Sequence, residues 1–151
     1  MIGEWTKVAC TSAKNVATTM GFGSCEVGGG GSEIPDGLGG AFVPLVGQQA
    51  SMQLGVMASP PDQESLARII LQMEDDEETD RDCIMDAIGE LTNCMVGQMK
   101  VAMRKVDPSL KIGLPVFIEG SVEDIGGVQQ RVLEAQLDGI PVSIVVLAKD
   151  G

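Results

Sequence analysis

The chain has 151 residues, about the size of one compact domain, and its 44% apolar against 21% charged residues supply a core and exclude general disorder. Ten basic against 22 acidic residues leave a net charge of -12, which repels a phosphate backbone or an anionic lipid surface and so argues against nucleic-acid and membrane partners. No apolar run approaches the roughly 20 residues of a membrane span, the start Met1-Ile2-Gly3-Glu4-Trp5 lacks the basic and apolar regions of a signal peptide, and the expectation is a cytoplasmic protein with a single domain over 1–151.

Trp5, Val8, Ala9, Val16 and Met20 recur at helical spacing and predict a first helix from Glu4 to Met20, stopped by Gly21. A strand around Gly23 to Val27 leads into a glycine-rich stretch, Gly28 to Gly40, which reads as a flexible connection. Ala41 to Val46 and Ser51 to Met57 are predicted strands joined by a turn at Gly47 to Ala50; in the second, Met52, Leu54 and Val56 alternate with Ser51, Gln53 and Gly55. Beyond Pro60-Pro61, Leu66, Ile69, Ile70 and Met73 predict a short amphipathic helix over Ser65 to Met73.

Acidic residues crowd the segment from Glu74 to Asp82, which reads as a solvated lead-in to a helix, with a docking surface for a basic partner as the alternative. Thr79 with Asp82 resembles a capping box, so the next helix is expected to begin near Thr79 or Asp80 and to run to about Val106, where Asp107-Pro108 ends it. Lys111 to Ile118 is a predicted strand in which Pro115 marks an edge or a bulge. After a break at Gly126-Gly127, Gln129 to Leu137 and Ile140 to Ala148 flank Asp138-Gly139, a hairpin signal.

The absence of histidine removes the commonest general base, and Cys10, Cys25, Cys83 and Cys94 have no metal-ligand spacing, so they read as buried thiols and no metal site is expected. Carboxylates and amides remain. On a wheel of about 100° per residue, Ile84, Met85, Ile88, Leu91, Met95, Met99, Ala102, Met103 and Val106 gather on one side of the long helix as a core stripe. The opposite side carries Asp82, Asp86, Glu90, Asn93, Gly97, Lys100 and Arg104, with Gly89 at its margin. A carboxylate and an amide thus project one turn apart, and each helical glycine nearby costs about 1 kcal/mol relative to alanine, which close approach by another molecule or by a neighbouring helix would justify.

The run Asp86-Ala87-Ile88-Gly89-Glu90-Leu91-Thr92-Asn93, continuing through Gly97 to Lys100, closely resembles the signature helix of the CheC, CheX and FliY family of chemotaxis phosphatases. The likeness takes in the hairpin of Gly40 to Val56, the Ser65 to Met73 helix and Ile112-Gly113-Leu114-Pro115 through Gly120, roughly residues 40 to 120. It implies an α+β fold, a mostly antiparallel mixed sheet packed against long helices, and homodimers paired through their sheets. CheC-type members carry two E-x-x-N sites, whereas the first helix here offers Ser12 to Asn15 at that spacing, with Ser in the place of the acid; one site, the CheX arrangement, is expected.

The resemblance further implies a phosphatase acting on the aspartyl phosphate of a CheY-like response regulator. In it Asn93 would orient the attacking water and Glu90 would pair with a regulator lysine. Asp86, Gly89, Gly97 and Lys100 would form the docking surface around them. Magnesium would be held by the regulator, leaving this chain without a cofactor of its own. The bulky Gln98-Met99 departs from the smaller residues of relatives and bears on packing. The rival expectation is a non-catalytic binding module, as the same fold serves in the flagellar switch.

Overall fold

The computed structural model describes residues 1–119 and 128–149; the break at Gly126-Gly127 and the Gly120 end of the resembling segment lie outside the described residues. In chain order the elements are α1 (Ile2–Thr19), β1 (Cys25–Val27), β2 (Gly39–Val46), β3 (Ser51–Ala58), α2 (Pro60–Ile70), α3 (Arg81–Ala102), β4 (Lys111–Ile112), β5 (Val116–Glu119), β6 (Val128–Leu137) and β7 (Ile140–Lys149). The sheet runs β1-β6-β7-β3-β2-β4, with β5 also paired to β2. Every pairing among the described residues is antiparallel. This is the α+β architecture expected of the CheC/CheX-like fold.

The β6–β7 hairpin turns on Asp138 and Gly139, both with positive φ (51° and 77°), the left-handed pair that a two-residue turn requires. One face of the sheet is covered by the helices. Trp5, Ala9 and Val16 of α1 and Ile88, Leu91, Met95 and Met99 of α3 close over Val43, Leu45, Leu54, Val56, Ile144 and Val146. On the other face Phe42, Met57, Val132 and Val145 form a smaller cluster against which Ile34 and Leu38 pack. The glycine-rich connection is therefore pinned and not loose. The Gly28 amide donates to the Glu134 carbonyl at 2.8 Å, the Val132 amide donates to the Gly31 carbonyl at 2.8 Å, and the Gln130 side chain donates to the Ser32 carbonyl.

The helix ends differ from expectation for local reasons. α2 starts at Pro60 and not at Ser65, because the Ser59 hydroxyl caps it and a proline in the first turn forfeits only an amide that had no partner. It ends at Ile70, short of Met73. Asp80 and not Thr79 caps α3, accepting from the Cys83 amide at 2.8 Å, and this bond holds the Asp80 carboxyl below its ordinary range. α3 ends at Ala102, and the chain reaches Val106 through turns.

The α3 stripe is wider than predicted. Ile88, Leu91, Met95, Met99 and Met103 are buried, but so are Ala87, Thr92 and Val96, since the helix is packed by α1 and α2 as well as by the sheet. Ala102, assigned to the stripe, is exposed. None of the four cysteines is fully buried: three are half-buried and Cys83 is exposed. No described helix is long and apolar enough to cross a membrane.

Asp107 lies beyond the end of the helix and does not stop it; it acts as a bracket. Its carboxylate, 1% exposed, accepts from the Ser109 hydroxyl and from the amides of Gln49 (2.7 Å), Ala50 (3.0 Å) and Ser109 (2.9 Å). The Ser109 hydroxyl first, then these amides, pull its carboxyl down to about 2. The bracket ties the β2–β3 turn to the exit from α3.

The predicted strand over Lys111 to Ile118 is broken in two. β4 pairs with Leu45 and Val46, and β5 pairs with Gly39 to Phe42, while residues 113–115 stand off between them. The Gly113 amide still donates to the Pro44 carbonyl at 2.9 Å, and a Cβ on Gly113 would lie 2.5 Å from Pro44 Cγ. Only glycine lets the edge lie this close to the proline ring.

Candidate functional site

Asp86, Glu90 and Asn93 follow one another at spacings of four and three along the solvent side of α3, so their side chains rise from successive turns on one face. Asp86 and Glu90 are exposed and Asn93 is half-buried. Facing them across a cleft of about 540 Å³ is the break between β4 and β5, which contributes Gly113, Leu114 and Pro115, with Phe117 beyond. The helix wall carries the three polar side chains together with Met85 and Gly89, and the opposite wall is apolar.

Both walls are fixed by contacts that reach through the fold. The buried Gln63 amide donates to the carbonyls of Gly39 (3.1 Å) and Ala58 (2.8 Å), and its oxygen accepts from the Arg81 guanidinium at 2.9 Å. That guanidinium also lies 4.9 Å from the Phe117 ring centroid and pairs with Glu119. The start of α3 is thereby tied to β5, which sets the spacing between the two sides of the cleft.

Glu90 accepts from the Cys94 thiol at 3.4 Å, one turn on. Burial first, then the Glu90 side chain beside it, push the Cys94 thiol up. Among the described residues the Asn93 amide makes no hydrogen bond, and neither Asp86 nor Lys100 forms an ion pair. The site thus offers, among the described residues, a carboxylate with one fixed neighbour and a carboxamide without a partner.

The predicted docking residues separate. Asp86 and Gly89 line the cleft with Glu90 and Asn93, but Gly89 is buried, and a Cβ there would meet Pro115 at 4.0 Å. The space expected to be bare around it is roofed by the chain's own edge. Gly97 does look onto open space, with nothing within 4 Å, but it lines a second groove of about 730 Å³ between α1 and α3, walled by Val8, Val16, Met20 and Val101. Lys100 lines neither. Leu114, Pro115 and Phe117 were not singled out as site residues, although Gly113 and Pro115 did signal an interrupted edge.

Chemically, the helix side offers two carboxylates, Asp86 and Glu90, and one amide, Asn93, in a chain without histidine to serve as an activating base. They can hold a water molecule and a cation in fixed positions. No group of three or more histidine, cysteine or acidic side chains able to hold a metal ion occurs among the described residues.

Several solved structures share this fold. A chemotactic CheC-like protein from Shewanella oneidensis aligns at 17% identity over 99% of this chain and 100% of its own, with a TM-score of 0.77. The chemotaxis protein CheX from Vibrio vulnificus aligns at 18% identity over 97% and 99%, with a TM-score of 0.76. The CheX of a CheX–CheY–BeF3–Mg2+ complex from Borrelia burgdorferi aligns at 18% identity over 97% and 98%, with a TM-score of 0.75. No curated protein sequence matches the chain. The family model described as chemotaxis phosphatase CheX matches residues 40–134, a span that runs from β2 into β6 and includes all of α3, and the chain accordingly belongs to the CheX family.

Proposed function

We propose that this protein hydrolyses the aspartyl phosphate of a CheY-like response regulator, acting in the cytoplasm through one site on α3. Asn93 enters beside the phosphoryl group and its side-chain oxygen accepts a hydrogen bond from the attacking water. Water adds to phosphorus, the bond to the aspartyl oxygen breaks, and inorganic phosphate leaves while the regulator recovers its carboxylate. Catalysis of this kind needs alignment and charge stabilisation more than covalent participation, which is why an amide suffices. Glu90 pairs with a lysine of the regulator and fixes the approach, and Asp86 adds negative charge on the same side.

Magnesium is the regulator's to hold. The solved CheX–CheY complex from Borrelia burgdorferi, which includes BeF3 and Mg2+, supports a partnership of the same kind here. The whole chain, 1–151, acts as one domain in this reading, and pairing of two copies through their sheets would give a homodimer with two such sites.

The observation that carries the reading is an Asn93 amide that, among the described residues, makes no hydrogen bond, beside Glu90 at the mouth of a cleft in a chain of the CheX family. The test is phosphate release from phosphorylated CheY-like regulators of the source organism. Wild type is expected to accelerate it and Asn93→Ala to lose about 100-fold or more of the acceleration, the scale for removing one positioned polar group. Equal decay with wild type, with the variant and with no added protein would sink the proposal.

A further inference from the structure

We propose that Leu114 is the apolar contact by which the site grips its regulator, an inference that rests on the phosphatase reading above. Leu114 is 84% exposed, the most exposed of the large apolar side chains among the described residues. Its position is set from both sides. Just before it, Gly113 is held against β2 by its bond to the Pro44 carbonyl, with the proline ring where a side chain would be. Just after it, Pro115 lies over Gly89 of α3. A leucine held out to water between two anchored neighbours gains by being covered, and gains without first having to be ordered.

What covers it follows from the cleft. Leu114 lines the same cavity as Glu90 and Asn93. A phosphoryl group attached to a protein that enters this cavity to reach Asn93 brings the body carrying it against the rim, and Leu114 stands on the wall opposite the helix. The fitting partner is a regulator whose phosphorylation pocket has a cationic side chain on one rim, for Glu90 and Asp86, and an exposed aliphatic or aromatic side chain on the other, for Leu114.

Titration with a CheY-like regulator loaded with beryllofluoride and magnesium, which binds without turnover, tests the contact directly. Leu114→Ser is expected to weaken binding about tenfold, within the range for burying one leucine side chain, and Leu114→Met to stay within about threefold of wild type. In phosphate-release assays Leu114→Ser should raise KM by a similar factor while kcat falls less than about threefold. Accelerated release with unchanged affinity for Leu114→Ser would overturn the inference and leave the phosphatase reading standing. Weakened binding without any acceleration by wild type would do the reverse. A Leu114→Ser variant that loses self-association but binds the regulator normally would show Leu114 facing a second copy, which also overturns it.

Discussion

Two long helices carry a polar residue three positions before an asparagine, and only one of them presents the pair. On α3, Glu90 is exposed and Asn93 stands at the cleft mouth. On α1, Asn15 is exposed but Ser12 is buried at 3% exposure, in the wall of the groove between α1 and α3. Residues three apart are about 60° from alignment around a helix, so such a pair can straddle the boundary between core and solvent or lie wholly outside it. Spacing permits a site; the rotation of the helix on the sheet decides it. The α3 pair also has a facing wall, Leu114 and Pro115, and Asn15 instead borders the apolar groove between the two helices.

The sharpest way to break this contrast is to supply the missing acid. Ser12→Glu puts a carboxylate where a small hydroxyl is buried, and it is expected to destabilise the fold by roughly 3–5 kcal/mol, the cost of an uncompensated buried charge. Denaturant unfolding measures it. A variant as stable as wild type, with new phosphatase activity from α1, would show that the first helix had only lost its acid.

Asp107 sharpens the same point, because it is a buried acid that does have partners. Its carboxyl lies below the ordinary value of 3.8, at about 2, so its contribution to stability is complete above the unfolded value and is lost as pH falls through the folded one. Asp107→Asn is expected to lower the melting temperature at neutral pH, less than Ser12→Glu does, and to flatten the decline between about pH 4 and about pH 2. Parallel acid profiles for wild type and variant would contradict the four-donor bracket. The smallest effect belongs to Asn15→Ala, which should leave phosphate release within about twofold of wild type, in contrast to Asn93→Ala.

Much of the fold was legible because it is written locally. The hairpin at Asp138-Gly139, the alternation of β3 and the amphipathic spacing of α1 each need only near neighbours in the chain. The pair Glu90 and Asn93 was legible from the longer motif around it. What stayed hidden depends on contacts between distant segments. Val96 and Thr92 fall outside the predicted core stripe and are buried on the flank that also carries Met85 and Gly89, the flank turned to β2 and β5. Gly89 read as bare and is roofed by Pro115. The Asp107 bracket joins residues 57 and 58 positions apart, and no local pattern announces it.

The interrupted edge that forms the apolar wall of the cleft also bears on how the sheet ends. Beyond β2 a foreign strand meets two short ribbons, of two and four residues, separated by a projecting kink; at the far rim it meets the three residues of β1 and the glycine-rich connection laid along β6. Continuous backbone pairing would stop after a few rungs at either described border, which leaves room for one closed pair of copies but not for an unlimited stack. The molecule is thereby guarded against open-ended strand addition, the first step of fibrous aggregation.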